Sequence, residues 1–224
     1  MVIGAVLTGL VAGLFAALFL TVAAEPSVEE AIKLEQAAAA PDAEHAEEIV
    51  SRNVQKGVGL FAAYALAGAG FGLLFAAACV AFKRPYVAGA VLGGAFTVAP
   101  WLKYPPNPPA VGDPGTLAER QALYLAVIVI GLLVGVGATL LSRRLRAAGW
   151  DDARRVAAVA GAVAAAMLLA FAVLPPPPDP VAAPATLVWR FRLASLGGNA
   201  GLWTALTLGF AVLARDRQRV VTPA

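Results

Sequence analysis

The sequence predicts an all-α integral membrane protein of six transmembrane helices, and three observations predict it. Of its 224 residues 60% are hydrophobic and 14% charged, where a soluble domain carries about 25% charged residues. The charges are swept into short clusters, leaving apolar stretches of roughly 17–25 residues, the length that crosses a bilayer core. Small residues recur at four-residue spacing, which puts them on one helix face and lets backbones approach closely in lipid.

The spans are expected at 2–24, 57–82, 86–102, 121–141, 153–174 and 187–214, within one membrane domain covering 1–224. The first ends in small residues before Glu25, as a signal-peptidase site does. It lacks a positive start, however, and its apolar run exceeds that of a signal sequence, so it is expected to remain as a helix. The third span is the shortest. Gly9/Gly13, Gly68/Gly72, Gly89/Gly93, Gly131/Gly135 and Gly197/Gly201 are G-x-x-x-G pairs, and Ala157-Gly161-Ala165 follows the same spacing.

Six spans place both termini and the loops 83–85 and 142–152 on one side. Ten of the 17 Lys and Arg residues fall there and seven opposite. Short basic loops mark the cytoplasmic side, so both termini are expected in the cytoplasm. The net charge of +3 and pI near 9.3 are therefore read as topology and not as a nucleic-acid surface. Cys79 stands alone within the second span, which excludes an intrachain disulfide framework.

The external segments differ in kind. Residues 25–56 form an acidic loop whose Ser27-x-x-Glu30 is a capping-box pattern and predicts a short surface helix. Residues 103–120 and 175–186 are proline-rich loops that cannot be regular helix. Two of the following helix entrances share a pattern: Pro114-Gly-Thr116-Leu…Arg120…Leu123 and Pro184-Ala-Thr186-Leu…Arg190…Leu193. Thr116 and Thr186 are expected to cap, and Thr116 with Glu119 makes a second capping box. Arg52, Arg120 and Arg190 lie at the three outer helix mouths, 68 and 70 residues apart. This layout suggests three repeated helical hairpins. Arg120 and Arg190 would sit about one turn inside their helices and are expected to anchor the mouths by pairing with Asp113, Asp179 or carboxylates of the acidic loop, with ligand contact as the other reading. Arg52 and Arg192 lie at the same mouths.

Chemistry-bearing motifs are sparse. His45 is the only histidine, and helical spacing would bring Glu44 and Glu48, or His45 and Glu48, to one face. One imidazole with carboxylates suits a borderline cation such as Co²⁺ or Ni²⁺; an acidic solvated loop is the other reading. No carboxylate lies deep in a span, where ion-coupled pumps place theirs; the polar candidates there are Asn199, Ser195, Thr204, Thr97 and Tyr64. P-loop, H-E-x-x-H and G-x-S-x-G motifs are missing, so no enzyme is expected.

Several strings resemble the CbtA family, the predicted cobalt transporter subunit of bacteria. They include Glu25-Pro26 with Ala31-Ile-Lys-Leu-Glu35, Ser51-Arg52…Gln55…Gly57, and Leu102-Lys-Tyr-Pro-Pro-Asn-Pro-Pro-Ala-Val-Gly-Asp-Pro114. Thr116…Arg120…Leu123-Tyr124 and Pro184-Ala-Thr-Leu-Val-Trp-Arg-Phe-Arg-Leu-Ala-Ser195 with Trp203 continue the likeness. The resemblance implies a multi-pass membrane component of cobalt uptake associated with cobalamin synthesis. With the topology and the loop chemistry above, this is expected to be a subunit of the bacterial cytoplasmic membrane, with nickel as a second candidate cargo. It also implies a small, single-span, histidine-bearing CbtB-like partner. On that reading Co²⁺ is cargo and no cofactor is tightly held. Glu44, His45 and Glu48 would concentrate the cation, Asn107 and Asp113 would shape an outer vestibule, and Asn199 with Ser195 would offer oxygens along a passage. The alternative is a non-transporting scaffold that stabilises or orients a metal-binding partner.

Overall fold

A computed structural model describes residues 2–38, 51–109, 111–178, 181 and 183–221, and all regular structure among them is helical. The elements are α1 (Val2–Ala23), α2 (Glu25–Ala38), α3 (Arg52–Phe82), α4 (Pro85–Lys103), α5 (Pro114–Ala147), α6 (Asp152–Val173) and α7 (Ala185–Val221). All but α2 are long and apolar enough to cross a membrane, so the six expected spans are present. Their ends extend beyond the apolar runs because charged turns at the helix mouths remain helical.

α1 and α3 pack backbone to backbone. A Cβ added to Gly9 would lie 2.1 Å from the Gly68 carbonyl oxygen, and one on Gly13 would lie 2.0 Å from that of Tyr64. The two G-x-x-x-G motifs thus face each other, and only hydrogen fits between them. α5 rests on α4 in the same manner: Gly131 faces the Ala95 backbone and Gly135 faces Val91. α7 crosses α4 antiparallel, with Gly89 against Thr207 and Gly93 against Trp203. α7 also runs antiparallel to α1, Gly4 meeting Leu213 and Gly198 meeting Leu20. The N-terminal end of α1 therefore lies beside the C-terminal part of α7.

The core is aromatic where α3, α4 and α7 meet. Phe71, Phe96 and Trp203 stand 5.2–5.8 Å apart between ring centroids, and the Trp203 indole donates to Thr97 Oγ1 at 2.9 Å. A π-helical turn at Gly94–Val98 precedes Pro100 within α4. Proline removes an N–H and crowds the carbonyl four residues back, and a widened turn relieves both. The outward faces carry Leu7, Val11, Phe15 and Leu18, which lie at no cost against lipid tails as apolar as leucine.

Three expectations about local structure change. Ser27 is not a cap: α2 starts one residue after α1, and Ser27 is buried inside it. Thr116 is not the cap of α5 either. Asp113 accepts the Gly115 N–H at 2.8 Å and opens a 3₁₀ turn over Pro114–Thr116, while the Thr116 hydroxyl donates to the Asp113 carbonyl. Aspartate before proline supplies an anionic acceptor and a preset φ together, which outcompetes a hydroxyl three residues later. Thr186 lies inside the first turn of α7, where the Pro184 carbonyl accepts from Leu187 and Val188.

The hairpins also differ from one another. The first two are packed through glycines, but α6 rests on α5 and makes no comparable contact with α7. The apolar window of α6 has no buried residue, and nothing lies within 4 Å of a Cβ placed on Gly161. The stripe Ala157-Gly161-Ala165 therefore meets no partner helix among the described residues.

Candidate functional site

A network of polar contacts between helices lies at one end of the bundle, where α2 and the proline-rich loops cover the mouths of α3, α5 and α7. α2 is amphipathic. Val28 and Ala31 are buried, as are Leu187 and Val188 of α7, against which α2 packs. Its acidic edge meets basic residues one turn apart on α3: Glu25 pairs with Arg52, and Glu29 with Lys56 at 2.9 Å. Glu30 reaches the other way, to Arg190 of α7 at 2.7 Å. The Lys56 hydrogen bond, reinforced by the charge of Lys56, holds the Glu29 carboxyl below its ordinary value of 4.5.

Beside α2 lies a cavity of about 670 Å³, walled by Pro108, Tyr104, Tyr124 and Phe191, with Glu35, Asn107, Arg120 and Arg192 at its polar points. Arg192 Nη2 donates to Asn107 Oδ1 at 2.8 Å and its Nε to the Pro106 carbonyl at 3.3 Å. Trp101 Nε1 donates to the Arg192 carbonyl at 3.1 Å, so α4 grips the same turn of α7. Arg120 donates to the Asp113 carbonyl at 3.1 Å. Across the bundle, Lys103 donates to the carbonyls of Phe171 and Leu174 at 2.8 and 2.9 Å, and the Tyr104 hydroxyl to that of Pro175 at 2.7 Å. Burial pushes the Tyr104 phenol up, which keeps its donor proton in place.

The expected residues are thus distributed over several tasks. Arg52 pairs with Glu25 and Arg190 with Glu30 of the acidic segment, and Arg120 meets Asp113 through its backbone. Asn107 and Arg192 come together, 85 residues apart in sequence. Asp113 caps a helix and does not line the cavity. The Asn199 amide donates to the Ser195 carbonyl of its own helix at 2.9 Å, and one turn further on lies Trp203 in its three-ring cluster. Glu44, His45, Glu48 and Asp179 lie outside the described residues. Among the described residues no three His, Cys, Asp or Glu side chains converge as a cation site.

Sequence reasoning missed Lys103, Tyr104 and Trp101 as fastenings. All three donate to backbone carbonyls, which leave no mark in a sequence. The Glu25/Glu29 and Arg52/Lys56 pairs did have a signal, two i,i+4 charge patterns of opposite sign flanking one loop.

The sequence profile of CbtA, described as "Probable cobalt transporter subunit", matches residues 1–215. No curated protein and no solved structure matches the chain.

Proposed function

The chain belongs to the CbtA family, and on that premise we propose that it is the membrane subunit of a cobalt uptake system and supports the passage of Co²⁺, with Ni²⁺ as a second cargo, from an outer vestibule. In this reading it lies in the bacterial cytoplasmic membrane with both termini inside, serving cobalamin synthesis. The observation that carries the entry route is the fastening of α2. Three ion pairs fix this helix over the mouths of α3 and α7, and the chain runs from it into the segment holding Glu44, His45 and Glu48. Those carboxylates would raise the local cation concentration beside the cavity at Asn107. A histidine-bearing single-span partner would supply the nitrogen ligands that suit cobalt.

A second reading, a scaffold that holds the partner and transports nothing itself, is favoured by the Phe71–Phe96–Trp203 cluster, which fills the space below Asn199. Reconstitution in liposomes separates the two. Cobalt flux from this chain alone assigns the passage to it. Flux only with the partner, undiminished by Asn199→Ala with Ser195→Ala, assigns the passage to the partner. Flux in neither preparation, together with unchanged cellular cobalt after loss of the chain, rejects the cobalt reading. The entry route is tested apart from this: uptake that survives both deletion of residues 29–48 and Asn107→Ala, at the cavity wall, overturns it.

A further inference from the structure

A second cavity, independent of the cobalt reading, is a groove of about 1080 Å³ that runs between α4 and α6 toward the opposite end of the bundle, floored by α5. At the outer end Lys103 and Tyr104 pin the end of α6 to α4. Below that pin the two helices stand apart. The walls are apolar, formed by Val87, Val98, Val134, Val163, Met167 and Phe171. α4 alone, at 19 residues, is about 28 Å long, close to the full depth of a bilayer core. The groove is therefore embedded in hydrocarbon along its length.

Its inner mouth is cationic. Lys83 and Arg84 from the turn between α3 and α4, and Arg143 and Arg146 from the last turns of α5, all line it, and no carboxylate does. None of the four side chains has a hydrogen bond or ion pair among the described residues. Lys83 holds a left-handed backbone (φ 62°), where glycine would be the relaxed choice. The positive-inside tendency explains why basic residues lie on this side. It does not explain why four of them converge on one apolar slot.

We propose that this groove binds an anionic phospholipid, its acyl chains lying between α4 and α6 and its phosphate held by Lys83, Arg84, Arg143 and Arg146. An acyl chain fills the space between the helices, against Val159, Val163 and Met167 of α6, that no side chain among the described residues fills. The headgroup supplies the negative charge that the four cations lack, as basic pockets between transmembrane helices do elsewhere.

The test is native mass spectrometry of the full chain with phosphatidylglycerol and phosphatidylcholine of identical acyl chains. The expected preference for the anionic lipid is on the order of tenfold. Lys83→Gln with Arg84→Gln, and separately Arg143→Gln with Arg146→Gln, should each reduce that preference severalfold. Two pairs are used because removing all four cations at once also weakens the topological signal. Ala138→Trp, which fills the groove and leaves every charge in place, should lower retention of both lipids. Arg144→Gln, on the same turn but outside the groove, should leave the preference intact. Equal retention of the two lipids by the unmodified chain overturns the proposal, as does a loss with Arg144→Gln equal to that of the groove pairs. A photoreactive residue at position 138 gives an independent readout in native membranes. Cross-linking to lipid supports the assignment, and cross-linking to a transmembrane polypeptide gives the groove to a protein partner and overturns it.

Discussion

Glu30 of α2 and Arg190 of α7, 160 residues apart in the chain, pair at 2.7 Å at the end of the bundle that α2 covers. With the Glu25–Arg52 and Glu29–Lys56 pairs, this contact makes a short amphipathic helix bridge the first and last hairpins. α2 is attached from two sides, and the acidic segment that follows starts from a fixed point. Any function of that segment depends on the fastening.

The three pairs should not contribute equally. Arg190 and Glu30 are 60% and 46% exposed, so water screens them and their coupling should be only about 0.2–1 kcal/mol. Arg52 and Glu25 are 28% and 15% exposed. Removing one partner there leaves the other poorly solvated, at a cost of about 1–3 kcal/mol. Thermal unfolding of the purified chain should therefore rank Arg52→Gln well below Arg190→Gln in stability. The reverse order would mean that α2 is held chiefly by its contact with α7.

The Glu29–Lys56 pair makes the attachment pH-dependent. Because the folded-state pKa of Glu29 lies below 4.5, its contribution is complete above pH 4.5 and is lost as the pH falls through the lower folded value. A carboxyl NMR titration in nanodiscs should give a Glu29 midpoint below 4.5, and Lys56→Gln should move it upward. An unchanged midpoint in the variant would show that the hydrogen bond is not formed in solution.

Much of this architecture was legible in the sequence, and the reasons are physical. Hydropathy located six spans because lipid leaves the chain no other way to satisfy its backbone. The facing glycines of α1 and α3 were legible because close approach tolerates no side chain. The same spacing misled at Gly161, since a small residue permits a close contact without requiring one. The outer face was half legible. Arginine at a helix mouth announces an ion pair but does not choose among carboxylates, and Arg52 and Arg190 chose α2 while Arg120 took a backbone carbonyl. Thr116 was misread because cap residues compete locally, and Asp113 beside Pro114 is the stronger competitor. The groove at Lys83 and Arg143 had only a topological signal, because sequence does not tell how far α6 stands from α4.

Glycine spacing yields a paired prediction. Gly9→Ala would place a methyl group 2.1 Å from the Gly68 carbonyl oxygen. Neither backbone can yield without separating α1 from α3, so the change should cost about 1–3 kcal/mol or more. Gly161→Ala meets nothing within 4 Å and should stay within about 0.5 kcal/mol of the unmodified chain. Unfolding in mild detergent measures both. A strong effect at Gly161 would reveal a partner on α6 that binds through its small-residue face.

The position of α6 should depend on one lysine. Apart from its packing on α5, α6 is held through its C-terminal carbonyls, which lack helical partners and accept from Lys103 at 2.8 and 2.9 Å. Hydrogen bonds from a charged donor contribute about 1.5–3 kcal/mol each, and the neutral one from Tyr104 about 0.5–1.5 kcal/mol. Lys103→Met should therefore free the outer end of α6 while leaving the packed unit of α1, α3, α4 and α7 folded. Electron–electron distance measurements between spin labels at Leu102 and Ala172 should show a broadened, lengthened distribution. Tyr104→Phe should change it less, and Lys103→Arg, which keeps a forked cationic donor, should preserve most of it. A distribution unaffected by Lys103→Met would mean that the surrounding bilayer, and not the lysine, sets the width of the groove.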